Sequence, residues 1–202
     1  MESGGVPADR LDDQFRGLLG ELELADLEQE RWPAYGMWLD SSLAYLNPAY
    51  ARQMPPSWGL GAKVLDATGV LRASVERVHA SVCATREPAV LRYACPTASR
   101  EREFELRVFP VGLTTGEVRG LLAIHSLVVD RPHADDHAPD DATYRDRAGL
   151  VHQCAHCRRT RRNGEPEIWD VVPAYIDRAP VNTSHGLCAR CAAHYYGDFP
   201  LE

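Results

Sequence analysis

Residues 154–191 read CAHCRRTRRNGEPEIWDVVPAYIDRAPVNTSHGLCARC, a stretch that opens and closes on a Cys-x-x-Cys pair, Cys154/Cys157 and Cys188/Cys191. Four thiolates arranged tetrahedrally satisfy Zn²⁺ without a further ligand. Two residues between the cysteines of a pair let one tight turn aim both sulfurs at one ion. The thirty residues between the pairs, 158–187, suffice for a hairpin and a connection that returns the second pair to the first. Four of the chain's six cysteines fall in this pattern, so the spacing points to a zinc site.

Other uses of the cysteines fit less well. A thioredoxin-like redox centre needs one such pair beside a strand–helix unit. Haem attachment needs Cys-x-x-Cys-His, but Arg158 follows Cys157 and Ala192 follows Cys191. Disulfides belong to oxidising compartments. The first residues, MESGGVPADRLDD, lack the apolar core of a signal peptide. No run approaches the ~18 apolar residues of a membrane span. A cytoplasmic chain with reduced thiols is expected, which favours metal over disulfide.

Within the stretch, Asn163-Gly164 is a hairpin turn signal, and Glu167–Val172 reads as its return strand. Pro173-Ala-Tyr-Ile-Asp is a helical turn. Ser184-His-Gly-Leu-Cys188 opens a helix that carries the second pair in its first turn, where the helix N-terminus favours thiolate. Knuckle, hairpin and final helix together describe a treble-clef-like zinc module at 149–202. His185 is expected behind the ligands, orienting them, and His156 is expected to be exposed. Arg158, Arg159, Arg161 and Arg162 are the candidates for phosphate contacts. Yet residues 149–202 hold six arginines and six acids, and four thiolates with Zn²⁺ add a net −2. The whole chain carries −7 with a pI near 5.6, which argues against a nucleic-acid partner.

Upstream, Leu11, Phe15, Leu18, Leu19 and Leu22 recur at three- and four-residue steps, with Leu27 five residues on, so one amphipathic helix is expected over 11–31. Its apolar stripe must be buried, against the next domain or against a second copy in a homodimer. Residues 1–9 read as disordered. Tyr35–Asp40 and Leu43–Leu46 are short strands with Ser41-Ser42 between them. Asn47-Pro48 starts a helix: Asn caps the free N–H groups and Pro fits the first turn. Gly69–Arg86 is an amphipathic helix with Leu71, Val75, Val78 and Val82 on one face and His79 beside them. Three strands follow, Ala89–Cys95, Arg102–Val111 and Val118–Val129, the middle one alternating Phe104, Leu106 and Val108 with charged residues. Residues 131–148 read as an acidic linker, of which 131–142 carry Asp and Pro and bury nothing, and Asp140 or Asp141 is the cap candidate for a short helix, Ala142–Val151, leading into the zinc module.

The order of these elements over 33–130 resembles a PAS domain. The resemblance rests on Trp38-Leu39-Asp40, on Tyr45-Leu46-Asn47-Pro48-Ala49-Tyr50, on the long helix ending in Thr85-Arg86-Glu87-Pro88, and on the closing three-strand meander. The usual Asp-Ile-Thr ending is replaced by Val128-Val129-Asp130. The stretch Cys154, Cys157, Trp169, Tyr175-Ile176 and Ser184-His185-Gly186-Leu187-Cys188-x-x-Cys191 resembles the cysteine-rich tail that follows PAS domains in some bacterial sensory proteins. These resemblances imply an α+β fold, a five-stranded antiparallel sheet with flanking helices, and an N-terminal region, 1–32, whose helix at 11–31 is of the kind that mediates PAS dimers. They also imply a pocket or filled core, with Tyr45, Tyr50, Val75, Val78, Val82, Tyr93, Phe104, Leu106, Ile124 and His79 as candidates for its lining. His79 is in addition a candidate haem ligand, because some PAS domains bind haem through a histidine on the long helix.

No nucleophile elbow, phosphate-binding loop or kinase box is present, so the chain reads as a non-enzyme. The expected role is a cytoplasmic sensor or adaptor: a PAS domain detects a small ligand, redox state or partner, and the zinc module presents a surface to an output protein. Two alternatives are a nucleic-acid-binding regulator using the arginine hairpin and a zinc–thiolate redox switch. Cys83 and Cys95 lack the Asn-Cys-Arg-Phe context of a flavin-adduct photosensor.

Overall fold

A computed structural model of the protein describes residues 9–19, 21–112 and 116–197, with the side chains of 21–23 left aside. The expectation for residues 1–9 lies largely outside these residues. The chain divides into two compact units. The first runs to Arg92 and resumes over Glu105–Ser126; the second takes Tyr93–Phe104 and the chain from Leu127 onward.

The first unit opens with α1 (Asp13–Arg16) and α2 (Glu21–Gln29). They replace the one long helix expected over 11–31. Asp12 caps α1, its carboxylate accepting from the N–H of Gln14 at 2.8 Å and of Phe15 at 3.1 Å, and α1 stops at Gly17. Strands β1 (Ala34–Trp38) and β2 (Leu43–Leu46) form an antiparallel pair. Helices α3 (Pro48–Gln53), α4 (Val64–Ala67) and α5 (Arg72–Thr85) follow, with 3₁₀ turns at Pro56–Trp58 and Gly69–Leu71. Arg86, at φ 62°, ends α5 in a left-handed cap. Then come β3 (Ala89–Ala94), β4 (Arg100–Gly112) and β5 (Val118–Pro132). The five-stranded antiparallel sheet has the order β2-β1-β5-β4-β3, so the first and last strands meet in the middle. This is the PAS-like arrangement that the element order implied.

The apolar stripe of the N-terminal segment is consumed within the chain. Leu11, Phe15 and Leu27 are buried in one cluster with Ala34, Ala44, Tyr45 and Val111. Phe15 fits because two strands carry glycine beneath it. A Cβ on Gly36 would fall 2.3 Å from its ring, and one on Gly120 would fall 2.7 Å from it. Trp38 meets the same ring edge-on at 5.1 Å. The expected homodimer through 11–31 therefore loses the face that was to drive it, while Leu22 lies outside the described side chains.

One polar residue locks this packing. Asn47 is fully buried. Its Oδ1 accepts from the N–H of Ala34 at 2.9 Å and of Tyr50 at 2.8 Å. Its Nδ2 donates to the carbonyls of Leu27, Glu30 and Trp32 at 2.9–3.3 Å. A helix cap legible in sequence thus also fixes the end of α2 and the start of β1. Buried backbone groups need such partners.

The second unit holds α6 (Asp141–Tyr144), β6 (Val151–Cys154), β7 (Thr160–Arg162), β8 (Glu165–Asp170), α7 (Pro173–Asp177), β9 (Thr183–Gly186) and α8 (Ala189–Tyr196). Strands β8-β7-β6-β9 form a four-stranded sheet. The hairpin turns at Asn163-Gly164 as expected, with Gly164 at φ 78°. The expected helix from Ser184 starts later: Thr183–Gly186 is a strand paired parallel to β6, and Cys188 caps α8.

The boundaries expected at 130 and 149 are also displaced. Residues 93–104 belong to the second unit, where Tyr195 Oη accepts from the N–H of Ala94 at 3.3 Å and Asp177 accepts from the N–H of Ala98 at 3.2 Å. The segment read as a linker contributes to the core. Tyr144 is buried with Val151, Val172 and Tyr175, and the His137 N–H donates to the Val171 carbonyl at 2.9 Å. A count of Asp and Pro missed the one aromatic side chain in that segment, which buries a large apolar area.

Candidate functional site

The sequence brings the two cysteine pairs together through β6 and β9. Their parallel register sets Cys154 opposite Gly186, so the turn after β6 and the start of α8 are neighbours. The first pair lies on a tight turn: Cys154 N–H donates to the Arg159 carbonyl at 2.8 Å and Arg158 N–H to the Cys154 carbonyl at 3.0 Å. Arg158 takes φ 60° to close it. The Ala155 N–H donates to the Gly186 carbonyl at 2.8 Å, pinning this turn to β9.

All four sulfurs lie within 4.8 Å of one another, and those of Cys157 and Cys188 are 3.7 Å apart. A tetrahedral ion with metal–sulfur bonds of about 2.3 Å requires sulfur–sulfur edges of about 3.8 Å, whereas a disulfide needs about 2.05 Å. None of the cysteines is cross-linked. The Cys188 N–H points at Cys154 Sγ at 3.5 Å, a contact that favours thiolate. Hydrogen bonds from Cys157, Cys188 and Cys191 drive the Cys154 thiol far below its ordinary range, and the Cys154 sulfur in turn drives Cys157 far above. Four thiols this close share protons unevenly, whereas a divalent cation lets all four ionise. Geometry and donor set therefore suit a metal ion held by Cys154, Cys157, Cys188 and Cys191.

The two nearby histidines exchange the places expected of them. His185 is exposed, opposite Gln153 in the β6–β9 register, and outside the four-thiol group. His156 is buried and stacks on Tyr195 with ring centroids 4.1 Å apart. Among the described residues neither of its ring nitrogens has a hydrogen-bond partner. Spacing could not reveal this, because the turn of the knuckle and the side chain of α8 meet only in three dimensions.

The arginine run is partly committed. Arg162 pairs with the buried Asp170 at 2.5 Å, and Tyr144 Oη donates to the same carboxylate at 2.9 Å. Burial alone would raise the Asp170 pKa; these partners outweigh it and hold it below the usual range. Arg159 Nη1 donates to the Trp169 carbonyl at 3.3 Å and lines a polar cavity beside Asp135, Asp136 and Asp170. Of the four arginines proposed for phosphate contact, only Arg158 is exposed.

The residues expected to line one PAS pocket are not brought together. Tyr45 is buried on the side of α1 and α2, its Oη donating to Glu28 at 2.7 Å, and Ile124 packs against the same cluster. Glu28 is held in turn by Arg10 at 2.8 Å. Tyr50 lies elsewhere, its ring 5.5 Å from that of Tyr35. Leu106 has the opposite parity on β4 from Val111, so it faces the other side of the sheet. Val75 and Val82 are, with Ser74, the buried positions of α5, and Val78 is half-buried beside them. Tyr93 and Phe104 stack at 5.7 Å within the second unit. His79 Nε2 is buried without a hydrogen-bond partner among the described residues. Burial holds its pKa at about 4, against the pull of Glu76, so it is a neutral imidazole at pH 7. His125 behaves alike, at about 4 from burial.

A cavity that the sequence did not announce lies in the first unit, between the N-terminal segment and the sheet. It measures about 520 Å³, with Leu18, Leu27, Phe109, Leu122 and Ile124 in its wall. That the apolar faces of α2, β4 and β5 leave space between them is a property of packing.

No protein-family model and no curated protein matches the chain. Among solved structures, it is similar to a sensory box sensor histidine kinase from Vibrio cholerae, at 13% identity over 53% of this chain and 90% of that one, with TM-score 0.42. It is similar to the PAS domain of Bordetella pertussis BvgS, at 21% identity over 55% and 87%, TM-score 0.43. It is also similar to Vibrio cholerae VqmA, at 14% identity over 55% of this chain and 52% of that one, TM-score 0.44. The PAS-like character of the first unit stands on its own strand order, β2-β1-β5-β4-β3, with α3–α5 between β2 and β3.

Proposed function

We propose that the chain is a non-catalytic, cytoplasmic sensory protein in which the PAS-like unit responds to a small ligand and a zinc-held unit presents a surface to a protein partner. A fold by itself does not name a function. The observation that carries this reading is the closed thiol site. Four cysteines complete a tetrahedral shell and leave no position for water or substrate, so the ion is a structural cross-link and not a reaction centre. Zinc is the fitting ion for four thiolates in tetrahedral geometry, with an iron–sulfur centre as the other class. A unit this small gains from metal what its modest apolar core does not supply. Among the described residues no helix is long and apolar enough to cross a membrane.

The test is native mass spectrometry of the full chain with elemental analysis. One zinc per chain, no iron, and a co-purified small molecule are expected. A chain that folds fully without metal, or one that carries iron, overturns the zinc reading. A PAS-like unit whose hydrogen exchange is unchanged by every ligand screened, with no co-purified molecule, overturns the sensor reading.

A further inference from the structure

The cavity of the first unit has an asymmetric chemistry. Leu18, Leu27, Phe109, Val111, Leu122 and Ile124 make most of its wall apolar. Among the described residues, the charged ones that line it are Asp26 and Glu30, and no basic one does. Its volume of about 520 Å³ falls in the range of small-molecule sites, about 300–1,000 Å³.

Three features place negative potential at one end. Asp26 lies in the last turn of α2 and Glu30 directly follows that helix, and like charges lining one cavity repel each other. Both are near the C-terminal end of α2, where the backbone carbonyls already carry partial negative charge. The last turn of α2 has no basic residue, although a cation there would stabilise the helix. Glu28, between them, differs: it is committed to Arg10 and Tyr45. Among the described residues no cation pairs with Asp26 or Glu30; the Glu30 carboxylate accepts one backbone N–H, from Trp32 at 3.1 Å.

We propose that this cavity binds a small amphipathic amine, its apolar body against the sheet and its ammonium between Asp26 and Glu30. The ammonium relieves the repulsion between the two carboxylates, and the body removes apolar wall from water. An acid of the same shape meets two like charges in the wall and is rejected. This deepens the sensor reading and rests on it: it gives the ligand class and places the site on the α2 side of the sheet, away from Tyr50 and Leu106.

The experiment titrates the metal-loaded full chain with octylamine, octanol and octanoate at fixed ionic strength, by calorimetry and thermal shift. Octylamine is expected to bind saturably, one per chain, and to raise the melting temperature of the PAS-like unit, with octanol at least ten-fold weaker and octanoate weaker still. Asp26→Asn/Glu30→Gln is expected to weaken octylamine at least ten-fold and to bring it level with octanol. Both changes keep side-chain oxygens, including the acceptor for the Trp32 N–H, so an unaltered circular dichroism spectrum is expected. Should that pair unfold, Leu122→Trp, which fills the cavity, is expected to abolish octylamine binding. Octanoate binding as tightly as octylamine, octylamine insensitive to both variants, or no octylamine binding overturns the proposal. If octylamine fails while a different co-purified molecule still stabilises the PAS-like unit, the site assignment falls and the sensor reading survives.

Discussion

Each of the two units is stabilised internally by a different means. In the first, an aromatic ring does what a metal does in the second. Phe15 is wholly buried and sits where Gly36 and Gly120 leave room, so N-terminal segment and sheet are joined by apolar contact. In the second, Tyr144, Val151, Val172 and Tyr175 form a buried cluster, and the turn after β6 and the start of α8 are drawn together by four sulfurs. Apolar packing is distributed and tolerates small changes. A four-ligand cluster is concentrated and fails when one ligand goes.

Removing the metal should separate the two most strongly. Chelation, or Cys154→Ser, is expected to abolish hydrogen-exchange protection across 127–197, since structural zinc contributes roughly 10–16 kcal/mol of apparent binding energy in small modules. Protection of β1 and β2 is expected to persist. Loss of protection across both units at once would erase the contrast.

Phe15→Ala is the converse. It should cost about 3–5 kcal/mol in urea unfolding and leave the metal content unchanged. Asn47→Ala should follow at about 3 kcal/mol, because it strands the N–H of Ala34 and several carbonyls in the core. A loss under 1 kcal/mol would mean that water replaces the side chain.

Acid should also act on the first unit. His79 and His125 are held neutral by burial, with folded values of about 4 against about 6.5 when exposed. Between those values the unfolded chain binds more protons than the folded one. The stability contributed by the neutral imidazoles is therefore full above pH 6.5 and is lost as the pH falls toward 4. Tryptophan fluorescence in a Trp169→Phe background, where the remaining indoles lie in the first unit, should report that slope. His79→Leu should flatten it.

The smallest effect expected is from Tyr144→Phe. Losing the hydrogen bond to Asp170 should cost about 1 kcal/mol in the second unit, because Arg162 still holds the carboxylate. A markedly larger loss would make this polar pair, and not the sulfurs, the main support of that unit.

Much of the architecture was legible because it follows from local chemistry. Asn47-Pro48 caps a helix, Asn163-Gly164 turns a hairpin, and alternation on β4 marks a half-buried strand. The misreadings share a cause. The N-terminal helix broke into α1 and α2, His156 and His185 changed places, and Tyr144 left the presumed linker for a core. In each case the deciding partner is distant in sequence: Gly36 and Gly120 for Phe15, Tyr195 for His156, Val172 for Tyr144.

Sequence alone determined the order of elements from β1 to β5, the hairpin at Asn163-Gly164 and the four metal-ligating candidates, because cysteine spacing, turn residues and hydrophobic period are local properties of a chain. Tertiary structure decided which faces those elements cover. It set the sulfurs within reach of one ion through the parallel pairing of β6 and β9, filled the glycine-lined seat with Phe15, and left a cavity with two acids in its wall. Such features depend on the shapes of surfaces that meet across the fold, and periodicity along a chain carries no record of what lies opposite.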